Sequence, residues 1–286
     1  MGTCIHCGKP AGLFRSSHEV CETRAKRRQA ELQQRKVDLQ RRMAAAIVDP
    51  AQEEALRTLL EQETAAGDLP AATIREALAE GWRRSVERCL EDGVVEEGEE
   101  RQLMRLKAVH QLTEEELDAD GAHTRVVHAA VLRDLLNDIV PQRFILDGPA
   151  PVNLQKAEKV VWIFHGCDHL EDTTRRELRG ASQGASIRLM KGVYYRVGAF
   201  KGTPVYTTHR VHVDTGTVVV TDKHIYFTGP RTSFRVPFSK IVAFLPFDDG
   251  FGFVRDARTA KPQVFRTGDG WFAHNLVVNL GRLAGG

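Results

Sequence analysis

Long hydrophobic runs are missing from this 286-residue chain. No stretch approaches the ~20 apolar residues of a membrane-spanning helix. Met1-Gly2-Thr3-Cys4 is not followed by an apolar segment after a basic start, so no secretory signal is predicted. The glycine-rich phosphate loop, the dinucleotide fingerprint and the G-x-S-x-G elbow are all absent. Nucleotide-driven and serine-hydrolase chemistry therefore have no motif to rest on. Cysteine is scarce, with five residues, and three of them fall in the first 21. That distribution excludes a disulfide framework and predicts a reducing, cytoplasmic setting.

Charge is abundant but uneven. Residues 1–44 carry ten Lys/Arg and four Asp/Glu, a net +6. Residues 45–141 carry ten and 22, a net −12, and residues 142–286 carry 20 and 12, a net +8. Three segments of alternating sign predict separate functional units.

The first unit is read from residues 4–21, CIHCGKPAGLFRSSHEVC. Cys4 and Cys7 lie two residues apart on one tight turn, with Gly8 supplying a permissive backbone. His18 and Cys21 repeat the spacing at a helix start. Four such ligands predict a closed tetrahedral site for structural Zn²⁺ and a segment too small to fold without it. The stretch resembles the short treble-clef or knuckle zinc modules at the ends of bacterial proteins, which implies zinc binding without catalysis. The boundaries predicted are a zinc knuckle over 1–25 and a basic connecting helix over 26–48.

From Glu22 to Met43 the pattern is helical, with a thin stripe of Ala25, Leu32, Leu39 and Ala46. Arg24, Lys26, Arg27 and Arg28 cluster beside the knuckle. A knuckle and a basic helix together make residues 1–44 a candidate grip for nucleic acid. No aromatic is interleaved for base stacking, which favours a solvated connecting helix or short coiled coil.

Residues 49–141 predict an acidic helical bundle. Asp49-Pro50 reads as a helix start, and Ile74, Leu78, Trp82 and Val86 form one buried stripe. Glu97–Val109 reads as a helix, and Thr113 with Glu116 as a capping box. Val126–Ile139 reads as the last helix, ended by Pro141. Leu90-Glu91-Asp92-Gly93, the acidic run to Leu106 and Leu112–Leu117 resemble the tellurite-resistance TerB-like helical family. The resemblance implies an all-α bundle used for association, with acidic loops as a place for metal. An EF-hand loop starting at Asp92 fails, because Val94 occupies position 3 and Glu97 stands where glycine is needed.

Residues 142–286 change to strand patterns. Val160–Phe164, Ser186–Met190, Val193–Phe200, Tyr206–Val213, Thr217–Thr221, Ile225–Phe227, Ser233–Val236, Gly250–Arg255 and Gln263–Arg266 read as strands separated by turn residues. Trp271–Leu283 reads as a final helix with Trp271, Leu276, Val277 and Leu280 on its apolar face. Gly216–Phe227 and Phe234–Phe244 resemble the GRAM and bacterial pleckstrin-homology-like families. The resemblance implies an antiparallel β barrel capped by a helix that binds lipid head groups, peptides or neighbouring domains. Arg188, Lys191, Arg196 and Lys201 lie on or beside adjacent strands and form the candidate anionic-ligand site. The whole chain is thus predicted to be a multidomain α+β protein.

The densest polar group is His165, Cys167, Asp168 and His169. Strand alternation would put His165, Cys167 and His169 on one face, as a partly buried stripe in preference to a metal site. With no catalytic constellation in view, the predicted role is a non-enzymatic cytoplasmic adaptor with a protein partner.

Overall fold

The computed structural model describes residues 2–12, 15–91, 95–143, 150–179, 185–190, 193–197, 203–258 and 260–285, and for 172–209 it describes backbone alone. The chain forms two compact units, Met1–Arg133 and Asp134–Gly286.

The first unit opens with a small antiparallel hairpin, β1 (Gly2–Thr3) and β2 (Pro10–Gly12). Helix α1 follows over Glu19–Val48, longer at both ends than the sequence pattern predicts. Asp49 accepts from the Ala51 amide and caps a 3-10 turn at Pro50–Gln52, which leads into α2 (Glu53–Ala66). Gly67 ends α2 in the left-handed region at φ 65°, where a Cβ is unfavourable. Then come α3 (Ala71–Cys89), α4 (Glu97–Val109), α5 (Glu114–Leu117) and α6 (Ala122–Leu136). The predicted capping box forms: the Thr113 hydroxyl accepts from the Glu116 amide, and the Glu116 carboxylate accepts from the Thr113 amide.

One core joins Met43 and Ile47 of α1, Leu56 of α2, Trp82 and Val86 of α3, and Leu103 and Leu106 of α4. Full burial of such side chains contributes about 1.5–3 kcal/mol each. The Trp82 indole N–H donates to the Leu103 carbonyl at 2.9 Å, so the largest core residue buries no unpaired donor. The lower half of α1 is thus a bundle helix with Leu39, Met43 and Ala46 fully buried.

The second unit contains β3 (Val160–Arg179), β4 (Ala185–Met190), β5 (Val193–Val197), β6 (Thr203–Thr221), β7 (His224–Thr228) and β8 (Ser233–Pro237). It continues with β9 (Ile241–Phe247), β10 (Gly250–Arg255), β11 (Gln263–Arg266) and α7 (Gly270–Gly285). Seven strands make one antiparallel sheet in the order β8-β7-β6-β3-β11-β10-β9, and β4 pairs with β5 alone. Most strands recur close to where the sequence pattern places them, but β3 runs on from the expected Val160–Phe164 to Arg179, and the expected Tyr206–Val213 and Thr217–Thr221 are parts of the one strand β6. Phe251, Phe253 and Phe265 bury one face with Phe272, Leu276, Val277 and Leu280 of α7. Ile163, Val219 and Tyr226 pack on the other face beneath Val152 and Leu154.

Two expectations are corrected. The sheet is not closed into a barrel: among the described residues β8 and β9 are its two edges, with no ladder between them. Pro237 ends β8, a 3-10 turn at Phe238–Lys240 redirects the chain, and β9 is laid against β10. Trp271 does not join the apolar face of α7 and is 55% exposed. Phe272 takes that place, meeting Trp162 edge-on at 4.9 Å.

Candidate metal centre

The N-terminal hairpin brings the first two cysteines together. The Cys4 amide donates to the Lys9 carbonyl at 2.8 Å and the Gly8 amide to the Cys4 carbonyl at 2.9 Å, closing a tight turn. Gly8 sits at φ 68°, as such a turn requires. The Ile5 amide donates to the Ser16 carbonyl at 3.0 Å, which ties this turn to the residues that lead into α1. His18 is the residue before α1, in extended backbone, and its side chain makes no capping bond. Cys21 lies in the first helical turn, so the second pair of ligands comes from the helix start.

The four ligand atoms of Cys4, Cys7, His18 and Cys21 lie within 4.8 Å of one another, close enough to hold a metal ion. His18 Nδ1 is 3.4 Å from Cys7 Sγ and 3.7 Å from Cys21 Sγ. Tetrahedral Zn–S bonds place neighbouring ligand atoms about 3.7 Å apart, so these separations match that ion's coordination edges. The His18 Nε2 lies 3.0 Å from the Pro10 carbonyl, which can only accept. That bond puts the ring proton on Nε2 and leaves the Nδ1 lone pair toward the thiols, the outer-shell support metal-binding histidines ordinarily have. Burial raises the Cys4 thiol, but the backbone amides of His18, His6 and Cys7 outweigh it and pull it down to about 6. The Cys21 thiol is raised by its hydrogen bond to Cys7, by burial and by Cys4. Three thiols gathered on one imidazole are mutually unfavourable as anions unless a cation sits among them. Among the described residues, this is the one His/Cys/Asp/Glu group with the spacing of a metal site.

Three of the four cations clustered beside the knuckle are engaged with carboxylates. Lys26 pairs with Glu22 at 2.7 Å, Arg27 with Glu31 at 2.9 Å and Arg28 with Asp68 at 2.6 Å. Lower on α1, Arg35 bridges the buried Glu63 at 2.6 Å and Asp68 at 2.9 Å, and Lys36 meets Glu76 at 3.0 Å. Basic α1 and the acidic helices thus offset each other within one unit.

The acidic stretches of the bundle have structural uses. Glu99 accepts from the Glu96 amide at the start of α4, Glu97 pairs with Arg101, and Glu100 pairs with Arg133. Asp118 accepts from both the amide and the hydroxyl of Thr124 at 2.8 Å, fastening the start of α6. Asp92 and Gly93 lie outside the described residues.

His165, Cys167 and His169 do not share a face. A register shift between Phe164 and Cys167, with Gly166 at φ 65°, breaks the alternation. His165 is exposed, whereas Cys167 and His169 are buried. The Cys167 thiol is pushed up to about 11 by burial, which disfavours a thiolate nucleophile. His169 stacks on Phe265 and lies 2.7 Å from the Gln263 side-chain oxygen.

Of the candidate anionic-ligand residues, Lys191 and Lys201 lie outside the described residues. Arg188 and Arg196 stand on β4 and β5, opposite Tyr194 and Ser186 respectively; their side chains lie outside the description.

A polar group that sequence reading missed is built on Glu158. Its carboxylate is buried and accepts from the Thr221 hydroxyl at 2.5 Å, from His224 Nδ1 at 2.8 Å, and from the Tyr226 hydroxyl and the Gln155 amide at 2.7 Å each. Burial opposes its ionisation, but these donors together hold it below the usual carboxylate range. The one signal in sequence was a lone acidic residue just before an apolar strand. Comparison of the chain with protein-family models, with curated proteins and with solved structures returns no match.

Proposed function

We propose that this chain is a non-enzymatic cytoplasmic adaptor, anchored by a structural zinc knuckle and recognising its partner through the C-terminal β unit. In this reading the helices are of the TerB-like type and serve association. The β unit is of the GRAM or pleckstrin-homology-like type and binds a protein or an anionic ligand such as a lipid head group. The carrying observation is the four-donor cluster of Cys4, Cys7, His18 and Cys21. Three thiols and one imidazole suit Zn²⁺, and four protein ligands leave no open position for an activated water. Zinc there would fix the knuckle and do no chemistry. The β unit's run of antiparallel strands followed by one amphipathic helix supports the second half of the reading.

Nucleic-acid binding by residues 1–44 ranks behind it, because Lys26, Arg27 and Arg28 are already matched by carboxylates. The test is metal analysis of purified protein together with a broad hydrolase screen. One equivalent of zinc and no turnover are expected. Turnover that disappears in Cys167→Ala would replace the adaptor with an enzyme.

A further inference from the structure

We propose that the open side of edge strand β8 is a docking groove for an acidic peptide, which binds in extended form as an added strand. The inference rests on the reading of the β unit as the part that recognises a partner, and it names that partner's chemistry.

The ladder leaves β8 half paired. It is the last strand of the sheet, with β7 on one side. The Gly229 amide donates to the Thr232 carbonyl at 2.9 Å and the Phe238 amide to the Lys223 carbonyl at 3.1 Å, one bond at each end of the β7–β8 ladder. Bonded pairs alternate in an antiparallel ladder, so Phe227↔Phe234 and Ile225↔Val236 exchange the bonds between these ends. The backbone N–H and C=O of Ser233 and Arg235 therefore point away from β7. Among the described residues no strand meets them there. Two such residues, one position apart, offer the backbone pattern that an incoming strand completes.

Clefts accompany the strand. One of about 380 Å³ is lined by Ser233, Phe234 and Arg235 together with Val152, Asn153 and Tyr226. Another of about 360 Å³ is lined by Arg235, Val236 and Pro237 together with Lys240, Arg255 and Asp256. Between them they take in every residue of β8, and Arg235 belongs to both.

Charge selects the occupant. Three cations, Arg235, Lys240 and Arg255, and one acid, Asp256, line the second cleft, a net +2. Elsewhere in this unit Arg266 and Arg282 are paired with Asp249 and Asp138. Among the described residues Arg235, Lys240 and Arg255 have no carboxylate partner. A second copy adding the same edge would set like charge beside like, which a charged edge strand serves to prevent. A bilayer or a nucleic acid brings anions but no peptide groups to complete the ladder. An extended segment bearing Asp or Glu supplies both.

The experiment uses the full chain and two fluorescein-labelled probes in fluorescence anisotropy, the heptapeptide Glu-Val-Glu-Val-Glu-Val-Glu and its Lys-for-Glu counterpart. A random heptapeptide phage library is selected on the same protein in parallel. The acidic probe should bind and the basic one should not. N-methylation of every second amide should abolish binding in one of its two phases, where it removes the ladder donors, and spare it in the other. Arg235→Gln/Lys240→Gln/Arg255→Gln should weaken binding about tenfold, with unchanged circular dichroism. Lys26→Gln/Arg27→Gln on α1 should leave it unchanged. Selected library peptides should be rich in Asp and Glu and lose binding to the triple variant. Acidic binding that survives the triple variant, or both phases of N-methylation, overturns the proposal, as does equal binding of the two probes. A library that yields only peptides without acidic residues overturns it while leaving the β unit a module for a protein partner. Binding of neither probe nor any library peptide removes both readings.

Discussion

Tyr226 donates its hydroxyl hydrogen to the Glu158 carboxylate at 2.7 Å, across 68 positions of sequence. The bond fastens the segment before β3 to β7. Burial, and then the carboxylate beside it, push the Tyr226 phenol up to about 12. Removing the carboxylate takes the acceptor from His224 Nδ1, the Tyr226 hydroxyl and the Gln155 amide, while the Thr221 hydroxyl can still donate to the His224 carbonyl at 3.0 Å. Glu158→Leu is therefore expected to cost about 2–4 kcal/mol, read as a lower urea midpoint, and Tyr226→Phe about 1 kcal/mol. An unchanged midpoint for Glu158→Leu would show that the cluster contributes nothing.

Acid should destabilise the protein in two stages. His110, His123 and His274 are all held below the usual histidine range, chiefly by burial, and Lys107 adds to the effect at His123. For a group whose folded pKa is lowered, the unfolded chain takes up the proton first, so stability falls as pH drops through the unfolded value near about 6.5. Glu158 and Glu116 are lowered too, Glu116 to about 2, with the Arg75 guanidinium its main cause. Their contribution is present above the unfolded carboxylate value near about 4.3 and is lost below it. Urea midpoints at a series of pH values should decline from 7 to 5 and steepen below about 4.5. A flat profile between pH 7 and 5 would contradict the histidine assignment.

Helices α1 and α3 approach closely at Gly81. A Cβ there would meet the Gln40 carbonyl oxygen at 2.6 Å and the Met43 Cβ at 2.8 Å. Neither is the far end of a flexible side chain. Gly81→Ala should cost about 1–3 kcal/mol by forcing the helices apart. Gly98→Ala in α4, where a Cβ meets nothing within 4 Å, should be neutral or stabilising through helix propensity. Equal effects of the two changes in thermal unfolding would sink the packing argument.

Metal content separates the knuckle thiols from the core thiols. Cys4→Ser should lower bound zinc below one equivalent. Cys89→Ser and Cys167→Ser should leave it at one, since both thiols are buried and are raised by that burial to about 12 and about 11. Chelation should unfold the first ~25 residues and spare the helical core, because Leu39, Met43 and Ile47 anchor α1 without metal. Zinc retained after deletion of residues 1–25 would be the contrary result.

Much of this was legible in the sequence, because it is local. The two Cys/His pairs are each spaced for one turn, and the cluster forms where that spacing places it. The Thr113–Glu116 cap and the meander of β7 and β8 follow from residues within a few positions of one another. Tertiary structure alone decided the rest. Glu158 looked like a lone acid until β6 and β7 brought Thr221, His224 and Tyr226 to it. Arg28 belonged to a candidate grip for nucleic acid until the chain returned Asp68 to it, and Arg35 likewise meets Glu63 and Asp68 only in the folded chain. His165 left the Cys167–His169 face because one bulge shifts alternation by a residue, which no period-two count registers. Local spacing specifies turns, caps and strand faces, whereas a charge or a buried polar group acquires its partner only when distant segments meet.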